Sequence, residues 1–112
     1  MTTFMPVDEN SNVIPALRLA QGGSHSISAT TGASARNSTG FNAQTRIVSV
    51  YATGPVYLKF GDNTVTAATT DHYYPTGLYY DFSIGGGRVA QYTNLAVRAV
   101  ETDCAVYISE KE

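Results

Sequence analysis

Apolar and polar positions alternate in short segments along this chain, and turn residues stop each segment after a few positions. No window long enough for an amphipathic helix keeps an apolar period near 3.6 residues, so the alternation predicts strands. Ala16-Leu17-Arg18-Leu19-Ala20 comes first, and Gln21-Gly22-Gly23 stops it. Residues 24–29 follow, with Ile27 as the firm apolar anchor. Thr30-Thr31-Gly32 then leads into 33–39, which Gly40 breaks.

The middle of the chain is clearer. Residues 46–52 (Arg46-Ile47-Val48-Ser49-Val50-Tyr51-Ala52) are β-branched and nearly continuous, which predicts a central strand. Thr53-Gly54-Pro55 is a tight turn, and Val56-Tyr57-Leu58-Lys59-Phe60 alternates after it, so the two segments read as a hairpin. Val56, Leu58 and Phe60 face the core in this reading, while Tyr57 and Lys59 face out. After Gly61-Asp62-Asn63, residues 64–70 form a polar strand or loop, and 71–74 a short strand before Pro75-Thr76-Gly77. Leu78, Tyr80, Phe82 and Ile84 share one face of the next strand, which Gly85-Gly86-Gly87 ends. Residues 88–92 read as strand. The last pair is 94–100 and 104–109, joined through Glu101-Thr102-Asp103. The expectation is an all-β fold, a two-sheet antiparallel β-sandwich of jelly-roll-like type with about eight short strands.

Residues 1–15 differ from the rest. Pro6 and Pro15 bracket the polar run 8–12, with Phe4, Met5, Val7, Val13 and Ile14 as the apolar positions. The segment reads equally as an extended N-terminal arm ordered against a neighbouring subunit and as a frayed terminus. The arm is carried forward, ahead of a single sandwich domain over residues 16–112.

Composition sharpens this picture. The 112 residues carry seven Lys+Arg and nine Asp+Glu, a net charge of −2, with only 14% charged positions but 43% hydrophobic ones. Disorder needs low hydrophobicity with high net charge, and phosphate neutralisation needs a basic excess, so neither is expected. No nucleic-acid partner follows from such a chain. No apolar run nears the roughly 20 residues of a membrane-spanning helix, and the first residues lack the cationic and apolar regions of a secretory signal. Cys104 is the only cysteine, which excludes an intrachain disulfide. It lies on the apolar face with Val106 and Ile108 and reads as a small buried hydrophobe made in a reducing cytosol.

No motif for catalysis, metal or cofactor stands out. Gly85-Gly86-Gly87-Arg88 precedes a predicted strand rather than the helix a phosphate loop requires. His25 and His72 are the only imidazoles, too few with one buried thiol for a metal site. Asp62-Asn63-Thr64 lacks the later ligands of a calcium loop. Asn37-Ser38-Thr39 matches a glycosylation sequon, read as chance without a secretory signal. The eight tyrosines carry more information. Tyr73-Tyr74 and Tyr79-Tyr80 flank one turn, and strand alternation turns one member of each pair outward. Exposed tyrosine on a charge-poor scaffold suits protein–protein contact, where Tyr is enriched and Lys, Glu and Asp are depleted.

The stretch from Val48-Ser49-Val50-Tyr51-Ala52-Thr53-Gly54-Pro55-Val56-Tyr57-Leu58-Lys59-Phe60-Gly61 to Ala67, the turn Asp71-His72-Tyr73-Tyr74-Pro75-Thr76-Gly77 and the ending Cys104-Ala105-Val106-Tyr107-Ile108-Ser109-Glu110 together resemble a known group. It comprises small β-sandwich structural proteins of tailed bacteriophages and prophages, chiefly of alphaproteobacteria. The resemblance covers about residues 45–110 and is structural rather than catalytic. It implies a non-enzymatic virion protein, such as a capsid decoration (cement) protein on the outer head surface. The partner would be the major capsid protein or another virion protein, and the location the virion, after synthesis in the host bacterial cytoplasm. A homo-oligomer is expected, a trimer if it sits on local three-fold points. The contact residues expected on these grounds are Phe4, Met5, Val7, Tyr57, Tyr73, Tyr74 and Tyr79. The alternative is a carbohydrate- or receptor-binding module of a tail or head fibre, using His72, Tyr73, Tyr74 and Tyr79 around one loop.

Overall fold

A computed structural model describes residues 17–86 and 88–112. The arm over residues 1–15, with the contact candidates Phe4, Met5 and Val7, lies outside the described residues. Eight strands follow in chain order: β1 (Leu19–Ala29), β2 (Ala35–Arg36), β3 (Ile47–Ala52), β4 (Val56–Gly61), β5 (His72–Tyr74), β6 (Tyr79–Ser83), β7 (Asn94–Ala99) and β8 (Cys104–Lys111). They form two four-stranded antiparallel sheets, ordered β1-β8-β3-β6 and β2-β7-β4-β5. The described residues contain no helix, so none of them crosses a membrane as one.

The order has a simple origin. The pairs β1·β8, β2·β7, β3·β6 and β4·β5 are those of one long antiparallel hairpin folded at the loop 62–71. Wrapping that ribbon on itself adds β3·β8 and β4·β7 and closes two sheets over one core. The result is an eight-stranded jelly roll. Only the β4–β5 connection stays within a sheet; the other six cross from one sheet to the other.

This corrects the hairpin expected over residues 46–60. The Thr53-Gly54-Pro55 turn does reverse the chain, but it delivers β4 to the opposite sheet, where β4 pairs with β5 and β7. The same holds for β7 and β8. Leu19, Ala20 and residues 24–29, read as parts of two strands, belong to the single strand β1, whose register shifts between Leu19 and Ser24. Gly22 sits in that shift at φ 73°, a conformation that costs glycine little. Of residues 33–39 only Ala35 and Arg36 pair, and 88–92 form no strand, only a turn bridged between Gly86 and Val89.

Alternation places the core as expected. Val48, Val50 and Ala52 of β3, Val56 and Leu58 of β4, Leu95, Val97 and Ala99 of β7, and Val106 and Ile108 of β8 are buried between the sheets. Each of these Val, Leu and Ile side chains contributes about 1.5–3 kcal/mol relative to exposure. Phe60, Phe82 and Cys104 pack against this core from its margins. A second, smaller cluster lies outside it, where Val65 and Ala67 of the 62–71 loop cover Ala96 on the outer face of β7.

Candidate contact surface

The register of the first sheet aligns its outward side chains into rows that cross all four strands. Tyr107 of β8 stands between Ser26 of β1 and Tyr51 of β3, and Tyr51 stands beside Tyr79 of β6. Three tyrosines therefore form one continuous row. The Tyr51 and Tyr79 rings lie 6.5 Å apart, and Tyr107 and Tyr79 are 51% and 55% exposed. The adjacent row is Ser24, Ser109, Ser49 and Asp81. Ser49 is buried beneath its neighbours and donates its hydroxyl proton to Asp81 Oδ1.

Lys111 Nζ donates to both Asp81 oxygens at 3.0 and 3.2 Å and lies 5.9 Å from the centre of the Tyr79 ring. The Ser49 hydroxyl first, then Lys111, hold the Asp81 carboxyl below its ordinary range. These paired charges compensate each other, so the tyrosine and serine rows form a broad face with no uncompensated charge. Tyr51 and Tyr107 belong to this face although the sequence reading did not select them as contact residues. The signal was available, since both are odd-numbered residues opposite to buried even-numbered ones on strands that alternate.

The second sheet presents less. Tyr57 and Tyr73 are paired across β4 and β5 with rings 6.2 Å apart, and Arg98 stands opposite Tyr57 on β7. Much of the remaining face is covered by the 62–71 loop. Asp62 Oδ1 accepts from the Thr64 amide at 2.9 Å and hydroxyl at 2.6 Å, and Arg36 donates to the Val65 carbonyl at 3.4 Å.

Tyr74 is a correction. It is 4% exposed and belongs to the core, with its hydroxyl 2.5 Å from the Val50 carbonyl and 2.7 Å from that of Leu78. Burial pushes its phenol pKa up. Strand alternation in β5 turns Tyr73 outward and Tyr74 inward, and the reading of both as contact residues ignored that choice. The quartet proposed around one loop is likewise dispersed, because Tyr79 lies on the outer face of the other sheet. His72 and Tyr73 instead join Lys59, Phe60, Phe82 and Tyr92 around a cleft of about 490 Å³. Tyr92 stacks on Phe60 there, with centroids 5.9 Å apart.

One polar centre was not anticipated. Glu110 continues the inward face of β8 after Val106 and Ile108, and its carboxylate is buried. Its Oε1 accepts from the Asn42 amide at 2.8 Å and the Thr45 hydroxyl at 2.6 Å, and its Oε2 lies 2.7 Å from His25 Nε2. Gly23 leaves room for it: a Cβ there would stand 2.8 Å from Glu110 Cβ. Burial raises the Glu110 pKa, but the hydrogen bonds from Thr45, His25 and Asn42 outweigh it and leave it below the ordinary value. A cavity of about 310 Å³ borders the carboxylate, lined also by Gln21, Asn42, Gln44 and Glu112. Strict alternation from Cys104 onward already put Glu110 on the core face, and His25 shares a face with Ile27. That periodicity was the missed signal.

Among the described residues no three His, Cys, Asp or Glu side chains are grouped as a metal site. Asn37 of the sequon is buried, donates to the Thr39 carbonyl at 2.6 Å and accepts from the Leu95 amide at 2.8 Å, so a glycan cannot reach it in this fold. Comparison with protein-family models, curated proteins and solved structures gave no match.

Proposed function

We propose that this chain is a non-enzymatic structural protein of a tailed-phage virion that decorates the outer head surface, docking on the major capsid protein or another virion protein. The observation that carries the reading is the row Tyr107, Tyr51 and Tyr79 on a broad sheet face whose Lys111 and Asp81 charges are paired. Tyrosine supplies large contact area at low conformational cost, and the absence of unpaired charge removes a desolvation penalty on docking. A jelly roll by itself decides little, because capsid and lectin domains both use it. The decoration reading follows the resemblance of residues 45–110 to phage structural proteins. On a symmetric lattice, many copies with modest individual contacts are retained by multivalency.

Mass spectrometry of purified particles from a phage or prophage that carries the gene tests the reading. The chain should be present at a fixed ratio to the major capsid protein; its absence from particles removes the proposal. One observation favours a second reading, a glycan- or receptor-binding module. The cleft that holds Tyr92, Phe60, His72 and Lys59 joins an aromatic stack to hydrogen-bonding groups. Glycan-array binding lost in Tyr92→Ala and Tyr73→Ala would favour that module over decoration.

A further inference from the structure

Each sheet has two edges, and three of the four are blunted. The β1 edge carries a register shift between Leu19 and Ser24, and its continuous part, residues 24–29, holds His25 pointing inward onto Glu110. The β2 strand has two residues, and β5 has three and runs into Pro75. Short strands and register breaks are the devices by which proteins protect sheet edges from pairing with other chains. The β6 edge has none of them. It is five residues long, pairs in unbroken register with β3, and carries no proline, lysine or arginine. Its one charge, Asp81, is already engaged by Ser49 and Lys111 of its own sheet. Tyr79 and Tyr80 are 55% and 52% exposed along it.

Which backbone groups are free follows from the ladder. The Ile84 amide bonds the Arg46 carbonyl at 2.9 Å, so the even-numbered residues of β6 bond β3. The amides and carbonyls of Tyr79, Asp81 and Ser83 therefore point away from the sheet. We infer that β6 pairs antiparallel with β6 of a second copy of this chain, joining two four-stranded sheets into one of eight. A two-fold contact requires a self-complementary register. Three registers centred within β6 place free groups opposite free groups, and the one centred on Phe82 sets Asp81 opposite Ser83 twice. Centring on Asp81 sets two like charges directly opposite each other, which is unfavourable. Centring on Tyr80 sets Tyr79 opposite Asp81 twice, gives four backbone hydrogen bonds, and meets Tyr80 with its own copy.

Tyr80 is exposed whereas Phe82 is already half-buried against the core, so the Tyr80-centred register covers more apolar surface and is the one that forms. Its two-fold axis runs through the sheet, so both tyrosine rows end on the same side of the pair and dock together. A three-fold ring would have to join β6 to a blunted edge instead. The inference does not rest on the virion reading, since it concerns the free chain in solution.

Sedimentation equilibrium and oxidative cross-linking test it, with Cys104→Ser as the background. The axial pair is a non-hydrogen-bonded one with Cα atoms about 4.5 Å apart, within the range a disulfide spans. Tyr80→Cys should give a disulfide-linked dimer under mild oxidation, and Asp81→Cys should not. Tyr80→Lys, which places two ammonium groups on the axis, should convert a sedimenting dimer to monomer. Its thermal unfolding should stay near that of the parent, because the side chain is half in solvent. A parent chain that is monomeric at every concentration, a trimer, or cross-linking through Asp81→Cys in preference to Tyr80→Cys would overturn the inference.

Discussion

His25 Nε2 and Glu110 Oε2 lie 2.7 Å apart at one end of the sandwich, with side chains only 9% and 5% exposed. This contact joins the two strands β1 and β8, and the other carboxylate oxygen ties the 42–45 loop to them through Asn42 and Thr45. Removing one partner of a buried pair costs about 3–5 kcal/mol, because the other polar groups lose their partner without regaining water. Glu110→Ala should therefore lower the stability measured by urea unfolding by about 3 kcal/mol or more. Arg18–Glu112, an exposed pair at 3.3 Å nearby, should give a change of less than about 1 kcal/mol when Arg18 is replaced by Ala.

The same centre sets an acid limit. The Glu110 carboxyl is held below its ordinary value of 4.5, so the folded state binds its proton less readily than the unfolded chain. The stabilisation from ionised Glu110 is complete above the unfolded pKa and is lost as pH falls through the lower folded one. Thermal unfolding followed from pH 7 to pH 3 should show a steeper loss for the parent than for Glu110→Gln. Parallel curves would remove Glu110 from the acid response.

Tyr74 bridges the sheets, since it sits on β5 and its hydroxyl reaches the carbonyls of Val50 on β3 and Leu78 before β6. Tyr74→Phe leaves those carbonyls without that partner and should cost about 1–3 kcal/mol. Tyr74→Ala adds a core cavity and should cost about 3–5 kcal/mol. Tyr73→Phe, on the outward face of the same strand, should unfold like the parent.

Cys104 packs at the core margin, and burial raises its thiol pKa while the Gly54 backbone opposes this weakly. A thiolate is the reactive form. Titration with an aromatic disulfide reagent should therefore be slow in the native protein and immediate in denaturant. Rapid native labelling would show that the strand end opens freely.

Much of the fold was legible because alternation is a strong signal on strands with one buried face. Val56, Leu58, Val106 and Ile108 are buried on the faces that the pattern gives them. The connections were not legible. Thr53-Gly54-Pro55 and Glu101-Thr102-Asp103 announce reversals, but a turn that crosses the sandwich has the same chemistry as one that makes a hairpin. Residues 88–92 carry strand-forming types yet lie in a connection between sheets, where no neighbour offers a ladder. The outward tyrosine row was half legible. Alternation already turns Tyr79 outward, while the row it forms with Tyr51 and Tyr107 needed the register that brings three separate strands side by side. The inward positions of Tyr74 and Glu110 follow from the parity of their strands, which composition does not carry.

The central claim is that the outer face of the β1-β8-β3-β6 sheet docks on the capsid. Replacing Tyr51, Tyr79 and Tyr107 together by threonine keeps β-branched residues on each strand and removes the aromatic row. The decisive measurement is the occupancy of this triple variant, relative to the parent chain, on purified heads of a phage carrying the gene, read by mass spectrometry of intact particles. The account predicts a folded variant whose occupancy falls at least tenfold, with Tyr73→Thr on the other sheet retained at parental level. Occupancy of the triple variant equal to that of the parent would contradict it.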